Sequence, residues 1–350
     1  MQPLIFVVYD GIKNSVFHSQ VLAPLLKRLQ KNPDQKIIIV SFERARPCKI
    51  PSFFASGASN YVQLIYLKRL PFLSKFSLWH SVWKLKQLLR RYNEYELIAR
   101  GPLAGWICVH SMHKNACKHL TIQARGILAE EYKMAHTSRN LFHHWRARKL
   151  FEIEREVYHD YAHGLKLHIE AVSPALCKYL ISTYHAPYEQ MDIARYDIPD
   201  PIPVEDIIAW RYKIRKELGV TDTTHVYCYN GSTKPWQCLE ETVNYFKDAY
   251  NRYPNSFLLL LTHDTKACKV IVGKARLDET TYQIISTKHE DIYTYLAACD
   301  VGLIFRKASP VNWVARPTKA LEYQAAGLRI VHNNTVDWLI KHTISLEKQV

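Results

Sequence analysis

The segment from His289 to His332, HEDIYTYLAACDVGLIFRKASPVNWVARPTKALEYQAAGLRIVH, constrains the fold more than any other part of this chain. Ile292, Leu296 and Ala297 share one helical face, and Asp300 ends that helix before an apolar run, Val301 to Phe305, of the length of a buried strand. Ser309 to Arg316 carries no helical period and reads as a loop. Pro317 and Thr318 then supply a helix start, through the preset φ of proline and a side chain able to cap. Ala320 to Ala326 continues the helix, Gly327 stops it where a left-handed residue is wanted, and Leu328 to Val331 reads as the next strand. The order is β-loop-α-β. A helix opening off a strand presents unpaired N–H groups and the positive end of its dipole, a setting suited to a diphosphate. Lys319 lies in the first turn. Glu322, one turn further on and on roughly the same face as Thr318 and Lys319, presents a carboxylate able to accept two hydrogen bonds from a ribose. Such an i, i+3 pair is ordinarily a solvated surface feature. Here it follows Arg306, Lys307 and Arg316 at the carboxyl end of a strand, where open α/β sheets bind ligands.

The same alternation runs through the rest of the chain. Pro3 to Val8 reads as a buried strand, Gly11 to Ser15 as a loop, Val16 to Leu29 as an amphipathic helix and Lys36 to Phe42 as a second strand. The loop can approach a ligand but lacks G-x-G-x-x-G, so there is no dinucleotide fingerprint. Further strands are expected at Val62 to Leu67, Glu96 to Ala99, His119 to Gln123 and Lys166 to Val172. Helices are expected at Leu78 to Arg91, from Leu103, at Glu152 to Leu165 and at Pro174 to Tyr184. Prolines 199, 201 and 203 in DIPDPIPVED then forbid regular structure. A chain of 350 residues exceeds what one core usually serves. The prolines therefore divide it into residues 1–198 and 199–350. The second half restarts with helix Ile207 to Leu218, strand Val226 to Tyr229, loop Asn230 to Pro235, helix Leu239 to Tyr253 and strand Phe257 to Thr262. The fold class is α/β, with two Rossmann-like domains.

CDVGLIFR and PTKALEYQAAGLRIV, together with YDGIKNSVFHSQV, QARGILAEEY and VYCYNGSTKPWQ, resemble in order and spacing the GT-B glycosyltransferases of the retaining family 4 type. The subgroup is the one whose donor helix opens with Pro-x-Lys and continues Glu-Tyr, and the resemblance covers most of the chain. It implies a cleft between two Rossmann-like domains, with the nucleotide sugar on the second and the acceptor on the first. It implies transfer of a sugar, with retention, to a glycolipid, lipopolysaccharide or polysaccharide precursor. The nucleotide-diphosphate sugar is then the co-substrate, and no cofactor or metal is expected, since the family needs no D-x-D motif and none occurs here. Without a metal, fixed cations and N–H dipoles must stabilise the departing diphosphate.

By the same resemblance Lys234, in the loop Gly231-Ser232-Thr233-Lys234, joins Lys319 and Arg316 on the phosphates, and Arg125 joins the two lysines as a catalytic candidate. Gly11, Ser15, Arg306, Ser309, Asn312, Pro317, Thr318 and Glu322 complete the expected donor site, with Ser309 and Asn312 toward the sugar. Three departures stand out. Val314 occupies the place of the first of the family's two glutamates, eight residues before Glu322. Gln123 and Ala124 stand where relatives offer a His or Asp near the reacting carbon, leaving Glu130 and Glu131, which read as surface salt-bridge formers. The chain also runs on for only about one helix after Val331, which suggests a shortened end. A nucleotide-sugar 2-epimerase on the same scaffold, or a non-catalytic nucleotide-binding or membrane-surface scaffold, are the competing readings.

Charge narrows the partners. The net charge is +15; residues 1–190 hold 27 Lys and Arg against 13 Asp and Glu, whereas residues 191–350 hold 20 against 19. Val62 to Asn93 has seven basic residues and no acid, interleaved with Leu, Phe and Trp. Such stretches attach proteins to anionic membranes at about 1 kcal/mol per charge, an attraction that salt weakens, although a plain basic helix face fits equally. No helix-turn-helix, RNP signature or zinc finger supports nucleic acid. Met1 to Asp10 lacks a basic leader region, and no run approaches the ~18 apolar residues of a membrane span. Eight cysteines without a C-x-x-C pair fit a reducing compartment. A cytoplasmic protein, peripheral on the inner face of a membrane, is the expectation.

Overall fold

The computed structural model describes residues 2–12, 17–45, 61–136, 140–165, 167–288 and 291–343. Ser15, read above as a donor contact, lies outside the described residues. The chain divides into two compact units, Met1–Asp197 and Ile198–Val350.

In the first unit the strands are β1 (Leu4–Val8), β2 (Ile37–Glu43), β3 (Val62–Lys68), β4 (Tyr95–Arg100), β5 (Cys117–Ala124), β6 (His168–Ala171) and β7 (Met191–Ile193). They form one parallel sheet in the order β3-β2-β1-β4-β5-β6-β7. Central β1 pairs Leu4 with Ile37 on one side and with Glu96 on the other, and its LIFVV run is buried throughout. A strand covered on both faces reads as a continuous apolar run for this reason. The chain order reverses between β1 and β4, which opens a crevice at their carboxyl ends. The main helices are α1 (Ala23–Lys31), which a π-helical turn His18–Leu22 leads into, α2 (Lys75–Leu89), α3 (Gly101–Ser111), α4 (Leu128–Ala135), α5 (Leu141–Arg155), which runs on through a π-helical stretch Glu156–Tyr161 to a last helical turn Ala162–Leu165, and α6 (Pro174–Tyr184). Two of them correct the sequence reading. Helix α4 was not expected, and α5 starts eleven residues before Glu152. The outward face of α5 carries Leu141, Phe142 and Trp145 exposed, so its apolar residues are not confined to one stripe and the helical period is blurred, whereas α4 is only eight residues long and gives little period to read.

In the second unit helices α7 (Val204–Leu218), α8 (Leu239–Arg252), α9 (Thr265–Ala275), α10 (Ile292–Leu296), α11 (Pro310–Trp313), α12 (Thr318–Ala325) and α13 (Asp337–His342) surround five strands. These are β8 (His225–Asn230), β9 (Ser256–Leu261), β10 (Tyr282–Ile285), β11 (Val301–Ile304) and β12 (Arg329–His332), all parallel in the order β10-β9-β8-β11-β12. Alternate residues feed two cores. Val226, Cys228, Leu259 and Ile304 pack on one face; Tyr227, Tyr229, Leu258, Leu260 and Leu303 pack on the other. Ile198 to Pro203 is irregular, as the prolines require, but Pro203 itself caps α7. Asp300 does more than end a helix. Its carboxylate takes Arg211 at 2.6 Å, Arg215 at 2.7 Å and the Val226 N–H at 2.8 Å, pinning α7 to the amino ends of β8 and β11.

Candidate functional site

The reversal between β8 and β11 brings two loops out side by side, and the β-loop-α-β segment lies on one of them. Helix α12 opens at Pro317, whose φ is −65°, and closes before Gly327, whose φ of +76° is the left-handed stop that the sequence demanded. Thr318 is the first helical residue rather than a cap, and no side chain caps this end. The Ala320 N–H bonds back to the Pro317 carbonyl at 3.0 Å, and what this end presents to a ligand is the positive end of the helix dipole.

Lys319 and Glu322 are not a solvated pair: only 7% and 6% of their surfaces are exposed. The Lys319 ammonium donates to Gln237 Oε1 at 2.9 Å and sits 4.4 Å above the Tyr229 ring. Gly231 makes that approach feasible, because its φ is +151° and a Cβ there would stand 3.1 Å from the Lys319 nitrogen. Burial, and then the charge of Arg306, hold the Lys319 pKa well below its ordinary value. Burial lowers Arg306 as well. No carboxylate among the described residues forms an ion pair with either cation. Two desolvated positive groups of this kind make a pocket whose electrostatics call for an anion. On the neighbouring flank Asn230 Nδ2 donates to Glu322 Oε2 at 2.8 Å, and the Asn230 N–H donates to the Tyr323 hydroxyl oxygen at 2.8 Å. A carboxylate aimed by a side-chain amide can still accept hydroxyls on its remaining lone pairs.

The other expected residues fall into different places. Arg316 and Pro317 are buried at the entry to α12, beside the site. Ser232 lends its carbonyl to the Tyr229 hydroxyl at 2.6 Å, which shapes the loop. Lys234 is exposed at the rim, its ammonium 5.1 Å from the Trp236 ring. Ser309 to Arg316 is not all loop. Ser309 Oγ accepts the Asn312 N–H at 3.2 Å and caps the single helical turn α11, while the Asn312 amide donates to the Lys307 carbonyl at 2.7 Å. Both residues thus build the loop. Gln237, Asn230 and Tyr229 were not singled out from the sequence. Their only signal was membership of the apolar strand and Gly-Ser turn in VYCYNGSTKPWQ.

In the first unit the crevice between β1 and β4 gathers Asp10, paired with Arg100, and Gln20, which accepts from Arg100 at 2.8 Å. Gly11 follows, and the next N–H, of Ile12, is held by Glu43 at 2.8 Å. Glu130 makes the surface pair expected of it, with Lys133 at 2.7 Å. Glu131 does not. Its stem is exposed, but its carboxyl turns in against Gly126, where burial, opposed by Arg100 and reinforced by Asp10, raises its pKa. Arg125 is engaged by the Tyr196 hydroxyl and the Asp197 carboxylate, each at 2.8 Å. Burial opposes its charge, but those two partners prevail and raise its pKa above the ordinary value.

No family model matches the chain, and no curated protein sequence does. Solved structures do. A glycosyltransferase from Rickettsia africae ESF-5 superposes with a TM-score of 0.64 at 13% identity, over 97% of this chain and 81% of its own. WaaG, a glycosyltransferase involved in lipopolysaccharide biosynthesis, gives 0.62 at 11% identity, over 98% and 86%. A UDP-GlcNAc 2-epimerase from Methanocaldococcus jannaschii gives 0.55 at 9% identity, over 99% and 89%. The chain has the two-domain GT-B fold of such enzymes. At these identities the likeness is one of fold, and chemistry must be argued from the site.

Proposed function

We propose that the protein is a glycosyltransferase that moves a sugar from a nucleotide-diphosphate donor to a glycan or glycolipid acceptor, such as a lipopolysaccharide or polysaccharide precursor. The observation that carries this reading is the buried Lys319, set beside Arg306 at the uncapped start of α12 and under the Gly231 loop. In this reading the diphosphate meets the positive end of the α12 dipole and the Lys319 ammonium, with Arg306 and Arg316 beside it, and balances the excess positive charge that Glu322 alone does not offset. Lys234 closes on the phosphates from the rim. Glu322, aimed by Asn230, holds the ribose. Stabilising the leaving diphosphate with preset donors needs no metal and suits a retaining displacement assisted by the leaving group. Ser309 and Asn312 contribute to the sugar pocket by fixing its loop. Arg125, bound to Asp197, positions the carboxyl edge of the first sheet. The basic first unit brings the enzyme to an anionic membrane surface, peripheral and on the cytoplasmic side. Among the described residues no helix is long and apolar enough to cross a membrane.

The named glycosyltransferases that share this fold support the reading, and the epimerase among the neighbours supports a second one, a nucleotide-sugar 2-epimerase. One experiment tests both. Thermal shift against UDP-, GDP-, ADP- and CMP-sugars should reveal one nucleotide that stabilises by about 2.7 kcal/mol at 100 times its Kd. The selected donor is then incubated with EDTA, with and without glycan acceptors. Transfer consumes acceptor and releases nucleoside diphosphate, whereas epimerisation yields an isomeric nucleotide sugar with no acceptor present. Stabilisation by none of the panel would overturn the reading.

A further inference from the structure

Helix α2 is apolar on two faces. Leu78, Val82, Leu85, Leu88 and Leu89 fill the core. Phe76, Trp79 and Trp83, at i, i+3 and i+7, form a second stripe that faces outward, with Phe76 85% and Trp83 54% exposed. Trp79 still meets Trp106 and His110 edge-on, at 5.4 and 5.0 Å between ring centroids, but Phe76 and Trp83 stand outward, where a single-sided amphipathic helix would serve a soluble surface better. The basic residues are arranged around it. At 100° per residue Lys84 and Lys86 flank the stripe on opposite sides, and Arg90 and Arg91 extend it at the carboxyl end. Lys84 lies 4.8 Å from the Trp83 ring, and none of these four cations has a carboxylate partner among the described residues.

A second helix does the same. The first turns of α5 expose Leu141, also at 85%, together with Phe142 and Trp145. The Arg146 guanidinium stands 5.6 Å from the Phe72 ring, so the start of α5 abuts the segment leading into α2, where Leu70 and Leu73 are exposed as well. Both helix starts are firmly built: Ser74 Oγ accepts the Phe76 N–H at 3.3 Å and Asn140 Oδ1 accepts the Phe142 N–H at 2.9 Å.

We propose that Leu73, Phe76, Trp83, Leu141, Phe142 and Trp145 insert into the acyl boundary of an anionic bilayer, with Lys84, Lys86, Arg90 and Arg91 meeting its head groups. This deepens the membrane part of the proposed function and rests on that part, while remaining independent of the donor site. It changes the character of the attachment: unpaired cations bordering exposed aromatic side chains are the composition of an interfacial helix, which is anchored by apolar area and steered by charge.

The experiment is flotation of the full chain with phosphatidylcholine vesicles containing 30% phosphatidylglycerol, at low salt and at 1 M NaCl. Anionic lipid should be needed for efficient capture at low salt, and binding once formed should weaken but persist in 1 M salt, where charge is screened within about 3 Å. Phe76→Ser and Leu141→Ser should each lower partitioning roughly tenfold or more. Acyl-chain bromination should quench the tryptophan fluorescence of the wild type, and less so that of Trp83→Tyr. Complete release in 1 M salt with no effect of the two serine variants would overturn insertion while leaving the electrostatic attachment intact. Monodisperse serine variants alongside a self-associating parent that binds no vesicles would overturn it in favour of a contact between copies. Thermal shift with the selected nucleotide, unchanged in every variant, keeps failure here separate from failure of the donor site.

Discussion

Replacing Lys319 by Met tests the anion pocket most directly. The substitution keeps the length of the side chain and removes the ammonium. In the free protein that ammonium makes one hydrogen bond, to Gln237 at 2.9 Å, and a cation–π contact with Tyr229 at 4.4 Å, so two of its three N–H donors remain for a ligand. Losing a charge-assisted bond to phosphate costs about 1.5–3 kcal/mol, which corresponds to a rise in Kd of roughly 10- to 100-fold. Stability should respond differently. The variant forfeits the Gln237 bond but also relieves a buried cation beside Arg306, so the net change in the free protein should stay within about 1 kcal/mol. Titration calorimetry with UDP, or whichever nucleotide the panel selects, and with the matching nucleoside supplies the comparison: the loss should be confined to the diphosphate. Proton linkage adds an independent readout. A bound dianion must raise the depressed Lys319 pKa, so diphosphate binding should take up protons where the free side chain is partly neutral, and this uptake should vanish in Lys319→Met. Equal effects on nucleoside and nucleotide, or a large loss of stability with unchanged diphosphate affinity, would show that Lys319 is structural.

Three further outcomes are expected. Glu322→Gln keeps its acceptor for Asn230 yet removes the charge that faces the ribose; nucleotide affinity should fall by about 1.5–3 kcal/mol with the fold intact, and a nucleotide complex showing Glu322 turned away from the ribose would refute the role. Asp300→Ala leaves Arg215, whose side chain is 2% exposed, with the carbonyls of Ala298, Thr221 and Thr224 but no carboxylate, and should destabilise the second unit by about 3–5 kcal/mol in urea titrations; a change below about 1 kcal/mol would mean that those carbonyls and packing hold α7. Buried Glu154 accepts the Leu128 and Ala129 N–H groups and the Tyr184 hydroxyl, and burial pushes its pKa from 4.5 up to about 7. The native state thus holds this proton more tightly than the unfolded chain. Roughly 3 kcal/mol of stabilisation, complete below about pH 4.5, should be lost as pH rises to about 7. Urea midpoints at pH 5 and 7.5 should differ for the wild type and converge in Glu154→Gln; an unchanged difference would assign the slope to other groups.

Local rules made much of the second unit legible before any tertiary information. Val301 to Phe305 and Leu328 to Val331 are short apolar runs, Pro317 and Gly327 punctuate the helix between them, and a chain so patterned has few alternatives to strand, helix, strand. The triple proline at 199, 201 and 203 marked an interruption for the same reason, since each ring removes a donor and presets φ. Single-turn α11 was invisible because four residues contain no period to detect. The start of α5 was obscured because its outward residues are as apolar as the inward ones, and α4 because its eight residues span barely two turns. The contacts that make the site were further from reach. Lys319 meets Gln237 and Asn230 meets Glu322 across 82 and 92 residues. Those meetings exist only because β8 and β11 are neighbours in the sheet, a pairing that no periodicity encodes. Sequence alone determined that a lysine and a glutamate would stand in the first turns of a helix at a strand's carboxyl end. The tertiary structure decided that both would be buried, that the lysine would feel a second cation, Arg306, more strongly than the Glu322 carboxylate, and that Ser309 and Asn312 would be used to hold their own loop. Burial and partner choice are properties of what folds over a residue, and that is set by distant strands.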